Sequence, residues 1–252
     1  MKELHIFYAP EIESTNELSP EDSAHAVRVL RMHEGDEITI TDGKGHFLEG
    51  RITIASQKHC RVEITDRRKV EASWRGKINI AVAPTKSMDR IEWFAEKATE
   101  IGVDRITFLN CKNSERRIIK TERIEKIVVA AMKQSHKAWL PEIEGMTDFK
   151  TFIAQEFHGD KYIAHCYAES DIEPQNNLDD EKPSDKEAGL LWNECNEDGN
   201  TLVLIGPEGD FSIDEVREAL AAGFKPISLG DSRLRTETAA LAAVHIMNIK
   251  KN

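Results

Sequence analysis

No two of the four cysteines, Cys60, Cys111, Cys166 and Cys195, form a C-x-x-C pair. Their scatter excludes a disulfide framework and a cysteine-built metal site, and it points to a reducing cytoplasm. His25, His136, His165 and His245 lack ligand spacing as well, so no metal is expected. No apolar run approaches the roughly 18 to 20 residues that span a bilayer. The first residues, Met1-Lys2-Glu3-Leu4-His5, lack the apolar stretch of a secretory signal. No membrane partner is expected. Positive charge is short too: the 252 residues carry a net charge of −11. Eleven carboxylates against Lys182 and Lys186, all between Glu169 and Asp198, supply nine of those charges. With Pro174, Pro183 and several Asn, Gln and Ser residues, this stretch reads as a flexible acidic surface insert at about 169–198. The remainder is close to neutral, and local basic patches rather than net charge decide binding to phosphate.

The last fifty residues hold the strongest signal. Two glycine loops, Gly206-Pro207-Glu208-Gly209 and Leu229-Gly230-Asp231, each follow a short apolar strand and precede a helix. In α/β proteins that arrangement presents backbone groups to a small ligand at the carboxyl ends of the strands. Two nucleotide readings fail on what is missing. The first loop has no lysine for a phosphate-binding loop, and neither loop completes G-x-G-x-x-G.

Patterning divides the chain in two. Residues 1 to about 72 are β-rich and read as a small barrel. Ile38–Thr41 and Phe47–Ile54 flank the turn signal Asp42-Gly43, and Cys60–Thr65 alternates with Val62 and Ile64 on one face. A short helix is expected over Ser23–Met32, with Arg28 and Arg31 on one face. From 73 onward strands alternate with helices. Strands are expected at Ile78–Ala83, Arg105–Leu109, Tyr162–Cys166, Thr201–Ile205 and Pro226–Leu229. Helices are expected at Ser87–Ile101, ending at Gly102, and at Thr121–Ala138. Ser212 to Glu215 spells a capping box, and Gly223 closes the helix it starts. This pattern predicts an α/β domain over 73–252 with a mainly parallel sheet.

The paired loops resemble the RsmE family of ribosomal RNA uridine methyltransferases, in the knotted SPOUT superfamily. Gly206, Pro207, Glu208, Gly209 and Ser212 match its first motif. Leu229, Gly230, Leu234, Arg235, Thr236, Glu237, Thr238 and Ala239 match the second. Upstream, Glu96 to Val103 and Pro141 to Ile143 extend the likeness over most of the chain. Two departures stand out: Asp210 replaces a second glycine, and Ser232-Arg233 shifts an arginine by one position. Aspartate tolerates the left-handed backbone better than most residues, so the turn is expected to survive.

The resemblance implies an N-terminal PUA-like barrel that binds RNA and a C-terminal trefoil knot in an α/β domain. It also implies a homodimer, and the final helix, apolar nearly all round from Ala239 to Met247, independently favours one. The implied activity is methylation of N3 of a uridine in small-subunit ribosomal RNA, free or in the assembled subunit, from S-adenosylmethionine. The implied cofactor set is Leu204, Ile205, Gly206, Pro207, Glu208, Gly209, Leu229, Gly230 and Leu234, although the leucines also suit plain core packing. Arg235 is the candidate cation, with Glu237 or Glu208 as base, while Glu237 also suits a helix N-terminus. Candidate RNA contacts are Arg28 and Arg31, then Arg61, Arg67 and Arg68, then Lys112, Arg116 and Arg117. A non-catalytic RNA-binding assembly factor and an α/β enzyme for a phosphorylated metabolite remain alternative readings.

Overall fold

The computed structural model describes residues 5–172 and 188–252. Two compact units divide the chain: residues 1–73 with 128–140, and residues 74–127 with 141–252.

In the first unit β1 (Ile6–Tyr8) pairs in parallel with β2 (Glu37–Thr41), which continues antiparallel through β3 (His46–Ala55) to β4 (Cys60–Lys69). Between β1 and β2 lie α1 (Ile12–Thr15) and α2 (Pro20–Ala24). Along β4, Cys60 and Val62 are buried and Arg61 and Glu63 exposed, the alternation that a half-buried strand needs. Phe7, Ile12, Ile38, Ile40, Leu48, Ile52 and Val62 form the core of this unit. The helix expected over Ser23–Met32 starts and ends three residues earlier, over Pro20–Val29. After α2 the chain makes a π-helical turn over His25–Val29 and leaves helical geometry, with Arg31 at φ 55. Arg28 and Arg31 therefore do not share a helical face. The basic residues of the last strand all lie on β4, which runs to Lys69 because it pairs with β3 up to His46.

The second unit is a seven-stranded parallel sheet. Its strands are β5 (Ile78–Val82), β6 (Arg105–Asn110), β7 (Glu142–Asp148), β8 (Asp160–Ala164), β9 (Gly189–Leu190), β10 (Thr201–Ile205) and β11 (Lys225–Ser228). In space they run β7-β6-β5-β10-β8-β11-β9. Every residue of β5 and β10 is buried, as expected of central strands covered on both faces. The helices are α3 (Met88–Ile101), α4 (Thr121–Gln134, of which the residues from Val128 belong to the first unit), α5 (Phe149–Ile153), α6 (Glu169–Ile172), α7 (Leu191–Glu194), α8 (Ile213–Ala221) and α9 (Thr236–Lys251). On one face Phe149, Phe152, Phe211, Val216 and Phe224 pack against Ala81, Ile163, Leu202 and Leu204. Elsewhere α9 packs on α3, β5 and β10. Among the described residues no helix is long and apolar enough to cross a membrane.

The acidic stretch differs from its expectation at both ends, while 173–187 lies outside the described residues. Residues 169–172 form α6, where Ile172 is buried and its carbonyl accepts from Arg217 Nε at 2.6 Å. Residues 189–194 form β9, paired with β11, and α7, with Leu191 fully buried. Leu191 alone anchors this part in the core, since Leu190 and Trp192 on either side of it are exposed.

Buried thiols set an expected alkaline limit. Burial pushes the Cys60, Cys111 and Cys195 thiols, and the Tyr8 and Tyr162 phenols, above their ordinary values. The unfolded chain therefore loses these protons first, so stability falls as pH rises past the ordinary thiol value of 9.0. Lys251 works the other way, since burial lowers its pKa, but it is one group against five. Urea midpoints at about pH 8 and pH 10 check this. Equal midpoints would contradict it, and Cys111→Ala should flatten the decline.

Candidate active site

The first glycine loop leaves the carboxyl end of β10. Gly206 is required by close approach: a Cβ there would lie 3.0 Å from both Phe211 N and the Phe211 ring. Asp210 N–H donates to the Pro207 carbonyl at 2.9 Å and closes the turn. Asp210 itself has φ 63. Its side chain offsets the cost of that conformation: Oδ1 accepts from Phe211 N–H at 2.7 Å and Oδ2 from Cys166 N–H at 2.9 Å. The residue that departs from the glycine pattern thus ties the first loop to the loop after β8. Ser212 then caps α8, completing the expected box with Glu215.

Sequence reading missed the β8 loop as part of this site. His165 is there, with Nε2 buried and unpartnered and its pKa lowered by burial. Tyr167 donates its hydroxyl to the Phe211 carbonyl at 2.7 Å. The available signal was strand order: a strand next to β10 delivers its carboxyl end beside the first loop.

The second loop follows β11. Ser228 Oγ accepts from Gly230 N–H at 3.1 Å, and Gly230 has φ 113 with nothing within 4 Å of a Cβ position. Arg235 stands at the N-cap of α9, exposed, and makes no side-chain cap. Glu237 lies in the first turn of α9, buried, and its Oε2 has no partner. Arg90 bridges the first loop and α9: its Nη1 is 3.8 Å from Glu208 Oε1 and its Nε 3.7 Å from Glu237 Oε1. Glu208 Oε2 also accepts from Lys86 N–H at 3.1 Å.

The structure therefore brings Glu208 of the first loop and Glu237 of α9 to one guanidinium, that of Arg90. Leu204 and Ile205 are core residues, 0% and 3% exposed, whereas Leu229 and Leu234 are half-buried. Arg116 is held close to the site, donating to the carbonyls of Thr85 and Lys86. Lys112 pairs with Asp214 at 3.6 Å, and Arg117 donates to Asn110 Oδ1 at 3.1 Å. In the other unit Arg61 pairs with Glu17, Arg67 with Glu13, and Arg68 lies over the Phe47 ring. Arg28 and Arg31 are exposed. Among the described residues no cluster of histidine, cysteine or carboxylates has the makings of a metal site.

Residues 72–248 match the family described as an RNA methyltransferase domain, and residues 18–65 match an RNA methyltransferase PUA domain. The chain belongs to the RNA methyltransferase family. A member from Aquifex aeolicus, named ribosomal RNA small subunit methyltransferase E, is 26% identical, covering 97% of this chain and 99% of its own length. A solved structure of a probable rRNA methyltransferase from Porphyromonas gingivalis is 41% identical, with TM-score 0.87 and 98% of both chains covered. A putative methyltransferase from Legionella pneumophila, solved with the cofactor SAM, is 27% identical with TM-score 0.80, again over 98% of both chains. Membership in the family makes this chain a methyltransferase with a PUA-like RNA-binding unit, and its fold is the one its solved relatives share.

Proposed function

We propose that the protein transfers a methyl group from S-adenosylmethionine to N3 of a uridine in small-subunit ribosomal RNA, in the cytoplasm. The observation that carries the reading is the approach of two carboxylates, Glu208 in the loop after β10 and Glu237 at the start of α9, to the guanidinium of Arg90, in a chain of this family. The residues suit the cofactor. Open space at Gly230, exposed backbone at Gly209 and an unpartnered His165 Nε2 leave room and polar atoms for a ligand that is partly apolar and partly charged. Gly206, Pro207, Glu208, Gly209, Gly230, Leu229 and Leu234 would hold it, with Leu204 and Ile205 behind them. The bound cofactor supplies an electrophilic methyl group.

The chain's own residues then have two tasks. N3 of uracil carries a proton at neutral pH, and a positioned carboxylate removes it. Glu237 suits this better than Glu208, because its Oε2 has no protein partner while Glu208 already accepts a backbone N–H. Arg235, exposed at the start of α9, offers planar donors to the ring oxygens on which negative charge builds. Arg116, Arg117 and Lys112 in this unit, and Arg28, Arg31, Arg61, Arg67 and Arg68 in the other, would meet RNA phosphates.

Two architectural readings accompany this one. β11 lies near one edge of the sheet while α9 returns to β5 and α3, the kind of path that a C-terminal segment threaded through a loop would take. Trp93, Trp192 and Ile249 are 44%, 45% and 48% exposed on α3, α7 and α9, apolar surface suited to a second copy. Sedimentation at micromolar concentration should show a dimer, and a stable active monomer would reject it.

Nucleoside mass spectrometry of ribosomal RNA from cells with and without the protein tests the activity. The 3-methyluridine signal from the small subunit should vanish in its absence. An unchanged signal would favour a non-catalytic assembly factor instead.

A further inference from the structure

Arg90 belongs to neither glycine motif, yet it is the cation at which three distant segments meet. It sits in the first turn of α3 and reaches Glu208 in the first loop and Glu237 in the first turn of α9. Both separations, 3.8 and 3.7 Å, are ion-pair distances beyond hydrogen-bond range, so the guanidinium is shared between the carboxylates and locked onto neither. The two ends of this bridge differ. The Glu208 side chain is 36% exposed and accepts Lys86 N–H, whereas that of Glu237 is 9% exposed. A buried carboxylate is costly unless a cation or donors compensate it. Arg90 approaches Oε1 of Glu237, the N-terminus of α9 adds partial positive charge, and Oε2 is left unpartnered.

The geometry points to Arg90 as a positioning residue for methyl transfer. It holds Glu237 by one oxygen so that the other faces the reacting base, and it couples that carboxylate to the first glycine loop through Glu208. This inference rests on the methyltransferase reading above. Arg90 touches neither substrate in this account, so its effect should appear in kcat and not in cofactor binding.

Arg90→Ala should lower kcat by about 10²-fold, the scale of a misplaced catalytic group. The Kd for S-adenosylmethionine and the KM for RNA should stay near wild type. Arg90→Lys should recover part of the loss as a point charge without the planar fork. Guanidinium ion added to Arg90→Ala should raise turnover, which a purely structural role would not produce. In a cycle with Glu237→Gln, the double variant should be no slower than Glu237→Gln alone, because Arg90 acts through that carboxylate. If Arg90→Ala fails to fold, Arg90→Gln takes its place in the same cycle.

Wild-type kcat in Arg90→Ala would overturn the inference, as would a loss confined to KM for RNA, which would mark a plain phosphate contact. Additive losses in the cycle, or a loss rescued neither by lysine nor by guanidinium, would overturn it too. Wild-type protein that methylates no RNA would instead overturn the underlying reading, and the inference with it.

Discussion

Replacing Arg235 with alanine should cut turnover by about 10²- to 10³-fold, the range for removing one donor aimed at developing negative charge. Affinity for S-adenosylmethionine should change little, because that stabilisation exists only in the transition state. The structure sharpens the expectation. Arg235 is exposed at the N-cap and gives α9 no side-chain cap, so alanine there removes no helix-capping bond and leaves no buried group unpaired. Its melting temperature should therefore hold. Arg235→Lys should restore only part of the rate, since an ammonium lacks the paired donors of the fork. Single-turnover kinetics with calorimetry on the same samples would separate the two effects. Loss of cofactor binding in Arg235→Ala would move the residue into the cofactor site, and Arg233 would be the next candidate for the catalytic cation.

The largest effect on stability is expected one residue from the chain's end. Lys251 is fully buried, and its ammonium donates to the carbonyls of Asn196, at 2.7 Å, and Gly199. Its own carbonyl accepts from Arg75 N–H at 3.0 Å. Hydrogen bonds to a charged group contribute about 1.5–3 kcal/mol each, and a carbonyl left dry costs a similar amount. Lys251→Ala should therefore lose about 3–5 kcal/mol, or roughly 10 °C in melting temperature for a chain of this size. Lys251→Met refills the space of the stem and leaves the carbonyls unpaired, so it should recover only part. A methionine variant as stable as wild type would show that the ammonium contributes nothing net, as happens when desolvation cancels the bonds.

Strands and helices with a clear period were legible in the sequence. β10 occupies Thr201–Ile205, as its unbroken apolar run predicts, and α3 ends at Gly102, as expected. Strands without an apolar run escaped notice. Glu142–Asp148 reads Glu-Ile-Glu-Gly-Met-Thr-Asp, and it is a strand because β6 offers it an edge to pair with. β9 has two residues and, among the described residues, pairs only with β11, a contact invisible to any local window. The site was half legible. The glycine motifs named Glu208, Arg235 and Glu237, but Arg90 and the β8 loop enter only through strand order and tertiary approach.

The place of β10 between β5 and β8 has a consequence for how this protein is made. Its register partners in β5 precede it by about 120 residues, so β5 leaves the ribosome long before the strand that covers its edge. At about 5–20 residues per second, that edge waits for about 6–25 s. The last helix, which packs on β5 and α3, arrives later still. Until then a nascent chain displays the bare, apolar edge of β5, a template for mispairing with its neighbours on a polysome. Nascent-chain chaperones therefore have the most to do between the synthesis of Val82 and that of Ile205.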